Sequence, residues 1–306
     1  MARSFVPSRD PARFHIERAG LGYRVVGPGM VLWEETLGEA AERRDELESW
    51  NGGSPSSDTV PLRPAELPDS LVYGPVVSRR LGRSLGLNLT PPGCRVCSFE
   101  CVYCEFGRES GARGACWPTP SAVRSAISTA LHDSGALDAV TISGHGEPTL
   151  HPRFPEVVAE VVAEIRRSLR GLPLCVLTNG STVTRQSVRR ALDGVDRCIV
   201  TFDAAPERVD RPHAGISLAD RIEAMRALRA VTLQSCFIEG VVSNCDLESI
   251  EAWADAVRRI QPASVQIYTI DRQPADAGVR PADSGALEEI ACLLRDRTGI
   301  EAAVFA

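Results

Sequence analysis

Lysine is missing altogether: all 34 basic residues of this chain are arginine, a bias that reads as genomic base composition. The absence excludes Schiff-base chemistry and a Walker-type phosphate loop, since both use a lysine. No run of eighteen apolar residues occurs, so no segment is expected to span a membrane. The start, Met1 to Pro7, has no apolar run behind Arg3 and does not read as a signal peptide, which makes a cytoplasmic location the expectation. Histidine is scarce, and His15, His132, His145, His151 and His213 show no metal spacing such as His-Glu-x-x-His. A net charge of -6 gives no general attraction to nucleic acid, although Arg79, Arg80 and Arg83 form a local basic group.

What remains is an ordinary globular balance, 43% hydrophobic and 24% charged, which suits one large domain or a large domain with an appendage. Phe14-His15-Ile16 and Tyr23-Arg24-Val25-Val26 read as short strands, and Gly27-Pro28-Gly29 as a turn into Met30-Val31-Leu32-Trp33. A helical pattern begins at Thr36 and ends before Gly52-Gly53. Residues 1–51 therefore read as a small strand–strand–helix module, either an accessory element or an extension packed on the main domain, and 52–72, rich in Gly, Ser, Pro and Asp, as a linker.

Beyond Tyr73 strands and helices alternate. Ser84–Leu89, Ala139–Ser143, Leu174–Thr178, Cys198–Phe202, Gln234–Glu239 and Ser264–Tyr268 are apolar runs of the kind that parallel strands show when buried on both faces. Helical patterns follow them. The fold class is α/β, a partial (β/α)6 TIM-like barrel over 73–306, with the chemistry expected at the strand ends.

Four of the ten cysteines are crowded between Cys94 and Cys104; the other six are scattered singly, as small buried side chains are. Cys97-x3-Cys101-x2-Cys104 forms a tight loop directly after the first barrel strand. Iron–sulfur clusters are held by thiolates on such segments, and three ligands leave one iron of a four-iron cluster open to a small molecule. Counting Cys94 gives two CxxC pairs, the elements of a structural zinc site, although zinc ribbons separate such pairs by about a dozen residues or more. A ferredoxin-like four-cysteine run is a third reading, without that motif's spacing or trailing Cys-Pro.

With Tyr103 before its last cysteine, this run resembles the signature of radical S-adenosylmethionine enzymes. The resemblance implies that Cys97, Cys101 and Cys104 bind a [4Fe-4S] cluster, that S-adenosyl-L-methionine chelates the fourth iron, and that Tyr103 lies beside the adenine. It implies reductive cleavage of the sulfonium to methionine and a deoxyadenosyl radical that takes hydrogen from a substrate, with an external flavodoxin- or ferredoxin-like electron donor as partner. The difficult chemistry would belong to the cofactor.

Ser143-Gly144-His145-Gly146-Glu147-Pro148-Thr149 stands where the family has its Gly-Gly-Glu motif, with His145 in place of the first glycine. That makes Gly144, Gly146, Glu147 and Pro148 candidates around the methionyl ammonium; glycine allows close backbone approach and a carboxylate pairs with a cation. Asn179 ends the third strand, and Thr201 and Asp203 the fourth, where the family places polar groups around ribose and methionyl carboxylate. A plain turn at Asn179-Gly180 and a helix cap at Asp203 are the other readings. Ile267-Tyr268-Thr269 is the implied adenine wall.

Tyr73-Gly74-Pro75-Val76, Ser78-Arg79-Arg80-Leu81-Gly82, Ser84-Leu85-Gly86, Arg211-Pro212 and Asp271-Arg272 are similar to a branch of iron–sulfur oxidoreductases related to the tRNA wyosine-forming enzymes. A tRNA base, with Arg79, Arg80, Arg83 and Arg272 meeting phosphates, therefore stands beside a peptide or small molecule as substrate. No catalytic residue and no oligomeric state is legible. Gly82-x-Ser84-x-Gly86 matches a nucleophile elbow, but an elbow needs a strand-to-helix turn and here the strand pattern continues. An iron–sulfur electron carrier and a zinc-stabilised interaction module are the readings of other classes.

Overall fold

The computed structural model describes residues 70–107, 116–168, 170–213, 215–272, 274, 276 and 278–305, together with the backbone of three strands between 15 and 34. The chain divides into two compact units, Met1–Pro61 and Leu62–Ala306. In the first, β1 (His15–Ala19), β2 (Gly22–Gly27) and β3 (Met30–Glu34) form an antiparallel sheet in sequence order. The third strand takes up the run for which the sequence pattern offered only a turn and an apolar stretch. The helix expected from Thr36 and most of the linker expected over 52–72 lie outside the described residues.

The second unit is built on β4 (Val72–Ser78), β5 (Gly82–Asn88), β6 (Ala139–Ser143), β7 (Leu174–Thr178), β8 (Arg197–Thr201), β9 (Val231–Cys236), β11 (Ser264–Tyr268) and β13 (Ala302–Phe305). They form one sheet in the order β13-β11-β9-β8-β7-β6-β5-β4, parallel except for β4. The six expected barrel strands are β5 to β9 and β11; β4 and β13 extend them at either edge. A separate two-stranded ribbon pairs β10 (Ile238–Gly240) with β12 (Val279–Pro281).

Helices cover one face: α1 (Pro120–Asp133), α2 (Phe154–Arg167), α3 (Gln186–Leu192), the single turn α4 (Pro206–Val209), α5 (Leu218–Arg226), α6 (Leu247–Ile260) and α7 (Ser284–Thr298). Their starts are local. Thr119, Ser217, Asp246 and Asp283 each accept a backbone N–H of the first turn, which satisfies donors that the helix itself leaves unpaired. In α6, Ile250, Trp253, Ala254, Val257 and Ile260 recur at helical spacing and bury one stripe.

The strands alternate. Leu85, Leu87, Val140, Ile142, Leu233, Val265 and Ile267 join the helices in the main core. The opposite face carries Ser84, Gly86, Thr141, Ser143, Gln234, Cys236, Gln266 and Tyr268, with Cys175, Leu177 and Ile199 on β7 and β8, and most of these are buried, as expected of parallel strands covered on both faces. That side is concave. Arg80, in the turn between β4 and β5, stacks 4.3 Å from the ring centroid of Tyr268 on β11, across five intervening strands. Only a curled sheet brings these together, as in a partial barrel. Arg79 pairs with Asp271 at 3.2 Å along the same seam. Tyr73 lies across the bare backbone of Gly86, where a Cβ would come within 2.2 Å of the ring, and its hydroxyl meets Ser143 Oγ at 2.6 Å. Among the described residues no helix is long and apolar enough to cross a membrane.

Candidate functional site

The cysteine loop follows β5 and is tied down by the segment after β8. Glu100 N–H donates to Asp210 C=O at 3.0 Å, Val102 N–H to Val209 C=O at 2.9 Å and His213 N–H to Ser98 C=O at 3.0 Å. Phe99 is fully buried, and Arg95 Nη2 donates to its carbonyl at 3.0 Å. Within this frame Cys97, Cys101 and Cys104 lie in electrostatic range of one another, and each is half-buried. Burial, then the Glu147 carboxylate, pushes the Cys97 thiol up to about 11, with Arg95 opposing. Cys94 closes a turn through its amide on Pro91 C=O at 3.1 Å.

Among the described residues no three His, Cys, Asp or Glu side chains converge as ligands of a single ion. The donor set, three soft sulfurs on one turn-rich loop, fits an iron–sulfur cluster.

The glycine loop after β6 is fitted to the protein itself. Gly144, at φ +126°, passes so close to Asn88 that a Cβ would meet its Oδ1 at 2.3 Å. A Cβ on Gly146 would meet Val96 C=O at 2.1 Å, and Glu147 N–H donates to that carbonyl at 2.8 Å. The glycines thus lock the loop onto the cysteine segment. Pro148 opens the 3-10 turn Pro148–Leu150. The buried Glu147 carboxylate accepts from Thr149 N–H at 3.0 Å, Thr149 Oγ1, Thr178 Oγ1 at 2.6 Å and Asn179 N–H at 2.6 Å. Burial raises its pKa and these donors oppose the rise. His145 is 3% exposed and neither ring nitrogen has a partner; burial, then Arg95, lowers its pKa, which keeps it neutral.

Asn179 joins this loop to the cysteines. Its Nδ2 donates to Ser98 Oγ at 3.1 Å and lies 3.6 Å from Cys97 Sγ, while its Oδ1 accepts Ser181 N–H at 2.9 Å. Its carbonyl accepts Arg221 Nη2 at 2.7 Å, which also reaches Thr201 C=O at 3.3 Å. The Arg221 guanidinium is buried between Phe99 and Phe202, 4.7 and 5.8 Å from their ring centroids. Its charge faces Asp210 first, then Asp203, Cys101 and Glu147.

Asp203 is buried beneath the loop. Tyr103 donates its hydroxyl to Oδ2, and Cys236 N–H donates to Oδ1 at 2.6 Å. The neighbouring Asp210 carboxyl is buried as well, with no hydrogen-bond partner at Oδ2 among the described residues, and Cys101 Sγ lies 3.8 Å from its Oδ1. Burial, then the Asp203 charge, raises the pKa of Asp210, with the Arg221 charge opposing.

The structure therefore brings together Cys97, Cys101, Cys104, Tyr103, Glu147, Asn179 and Asp203. Gly144, Gly146 and Pro148 shape the loop, and Thr201 reaches the network through its carbonyl. Asp203 is neither a helix cap nor exposed, and Asn179 is both a turn and a clamp. Sequence reasoning missed Arg221 and Asp210; the only signal was the neighbouring Arg211-Pro212, where Arg211 adopts φ +46° and Pro212 bridges to Phe99. Ser84 lies inside β5 with its hydroxyl on Thr141 Oγ1, so no nucleophile elbow exists. Arg79, Arg83 and Arg272 are paired with Asp271, Asp138 and Glu105 and do not form a free basic patch.

A family model described as the Radical SAM superfamily matches residues 92–257. The chain is 33% identical over 216 residues to a "UPF0026 protein" of Helicobacter pylori, covering 66% of this chain and 67% of that one. It is 26% identical over 234 residues to a protein named "GTPase Obg" from Brachyspira hyodysenteriae; the match covers 74% of this chain and spans 33% of that relative's length. Among solved structures, a radical SAM methyltransferase from Sphaerobacter thermophilus aligns with a TM-score of 0.55 at 18% identity, over 72% of this chain and 65% of that one. TYW1 with a lysine–pyruvate adduct bound aligns with a TM-score of 0.51 at 16% identity, over 71% of this chain and 74% of that one. At these identities the structures show a shared fold.

Proposed function

This chain is an enzyme of the Radical SAM superfamily, and from that premise we propose that Cys97, Cys101 and Cys104 hold a [4Fe-4S] cluster and that S-adenosyl-L-methionine binds beside it at the mouth of the half-barrel. Bound there, the pair would supply reductive cleavage of the sulfonium, with one electron from an external donor, and so the family's hydrogen-abstracting radical chemistry. The observation that carries the reading is the loop itself: three thiols on one backbone turn, laced to 209–213, with Asn179 donating toward Cys97.

The chain's own residues position and insulate. Glu147 and Arg221 fix Asn179 from two sides, through its amide and its carbonyl. Asp203 holds Tyr103, whose ring directs the backbone before Cys104, the part expected beside adenine. The unpartnered His145 nitrogens, with Gly144, Gly146, Glu147 and Pro148 around them, are the groups proposed nearest the methionyl end, and Thr201 and Asn179 those nearest ribose and carboxylate. An external one-electron donor and a cytoplasmic setting belong to the same proposal. Internal pairing of Arg79, Arg83 and Arg272 supports a small molecule or peptide as substrate over a tRNA.

The test is anaerobic reconstitution with iron and sulfide, then reduction in the presence of S-adenosylmethionine. A visible iron–sulfur spectrum and release of deoxyadenosine are expected. A colourless zinc protein sinks the cluster, and a cluster that releases no deoxyadenosine with any of several reductants leaves an electron carrier.

A further inference from the structure

Arg80 is the one arginine of its motif that the fold leaves partly unspent. Arg79, Arg83 and Arg272 each meet a carboxylate, whereas among the described residues none pairs with Arg80. Its guanidinium face lies 4.3 Å from the Tyr268 centroid, and its Nη1, buried from solvent, has no hydrogen-bond partner. Stacking uses the face of a guanidinium and leaves the in-plane Nη1 donor, of the kind that fits carboxylates and phosphates, without an acceptor. A buried charged donor without an acceptor is costly, and closing the sheet needs only the stack.

The surroundings place this donor on the concave face. Tyr268 pairs in register with Cys236, and both belong to the small apolar cluster that includes Val102 of the cysteine loop. Two residues back on the same face, Gln266 has its Oε1 buried and likewise unpartnered. Its register partner Gln234 donates Nε2 to Tyr268 Oη at 3.4 Å. One unspent cationic donor and one unspent neutral acceptor thus share the concave wall.

Resting on the radical SAM reading, we infer that the half-barrel takes a substrate carrying an anionic group, a carboxylate or a phosphoryl, and that Arg80 is the residue that receives it. Gln266 would then accept from an N–H or O–H of the same ligand.

Calorimetric titration of the reconstituted enzyme with inorganic phosphate and with acetate tests this. Wild type should bind one of them, and which one separates phosphoryl from carboxylate. Arg80→Gln should weaken that binding about tenfold or more, and Arg80→Lys should restore part of it. Selenate soaked into wild-type crystals needs no variant, and its selenium should lie beside Nη1. Equal affinity in wild type and Arg80→Gln, no binding in wild type, or selenate seated elsewhere overturns the inference. Displacement of the anion by S-adenosylmethionine also overturns it, because Arg80 would then serve the cofactor. The visible spectrum of the same sample keeps the two readings apart: a cluster-free protein that still binds the anion through Arg80 removes the radical SAM reading and keeps the anion site.

Discussion

Asn179 Nδ2 lies 3.6 Å from Cys97 Sγ, a hydrogen bond that crosses from the end of β7 to the cysteine loop. Donors to ligand sulfurs stabilise the more electron-rich, reduced cluster and so raise its potential. Asn179→Leu should still assemble the cluster but shift its midpoint negative. A difference of about 1 kcal/mol between oxidation states corresponds to about 40 mV for one electron. An EPR-monitored redox titration reads this, and an unchanged midpoint would show that the amide serves only Ser98.

The proposed ligand set divides the four crowded cysteines three to one. Cys97→Ser, Cys101→Ser and Cys104→Ser should each lose most bound iron after reconstitution, while Cys94→Ser should keep it. Iron and sulfide analysis decides, and loss in the Cys94 variant would make that thiol a ligand.

Arg221 is a buried cation facing Asp210 and Asp203 between two phenyl rings. Removing one member of a buried charge network costs about 3–5 kcal/mol, so Arg221→Ala should lower the urea midpoint strongly. Arg221→Lys should recover little, since lysine lacks the planar guanidinium that lies between the Phe99 and Phe202 rings.

Gly86→Ala forces a methyl group into the Tyr73 ring. Overpacking of this kind costs about 1–3 kcal/mol. In a Tyr73→Ala background the same change should cost markedly less, and a double-mutant cycle by denaturant unfolding measures that coupling.

Asp246 caps α6, and Ser249 N–H, then Ser249 Oγ and Arg208, hold its carboxyl down at about 2. A depressed folded pKa stabilises fully above the unfolded value and less as pH falls toward the folded one. Asp246→Ala should cost about 1 kcal/mol near neutrality. Urea midpoints of the two proteins should differ by a constant amount down to about pH 4 and converge below it.

The parts legible in the sequence were those whose cause is local. Apolar spacing such as Ile250 to Ile260 shows which stripe of a helix is buried. Harder to read were the strand faces. Ser84, Thr141 and Gln234 sit in runs that look apolar until the curl gives them a concave side. The partners of the arginines were hidden for a related reason: sequence marks Arg79, Arg83 and Arg272 as cations but not the carboxylates that meet them.

The sequence by itself determined the donor set and its order: three thiols at fixed spacing after a strand, then glycines, then polar strand ends. Covalent spacing within one loop suffices for that. Only the tertiary structure decided what each side chain does there. Arg221 reaches Asn179 from 42 residues away, Tyr103 reaches Asp203 across 100, and Cys101 meets Asp210 across 109. Such partners are chosen by burial, where a charge or polar group must find its complement in whatever segment the fold delivers.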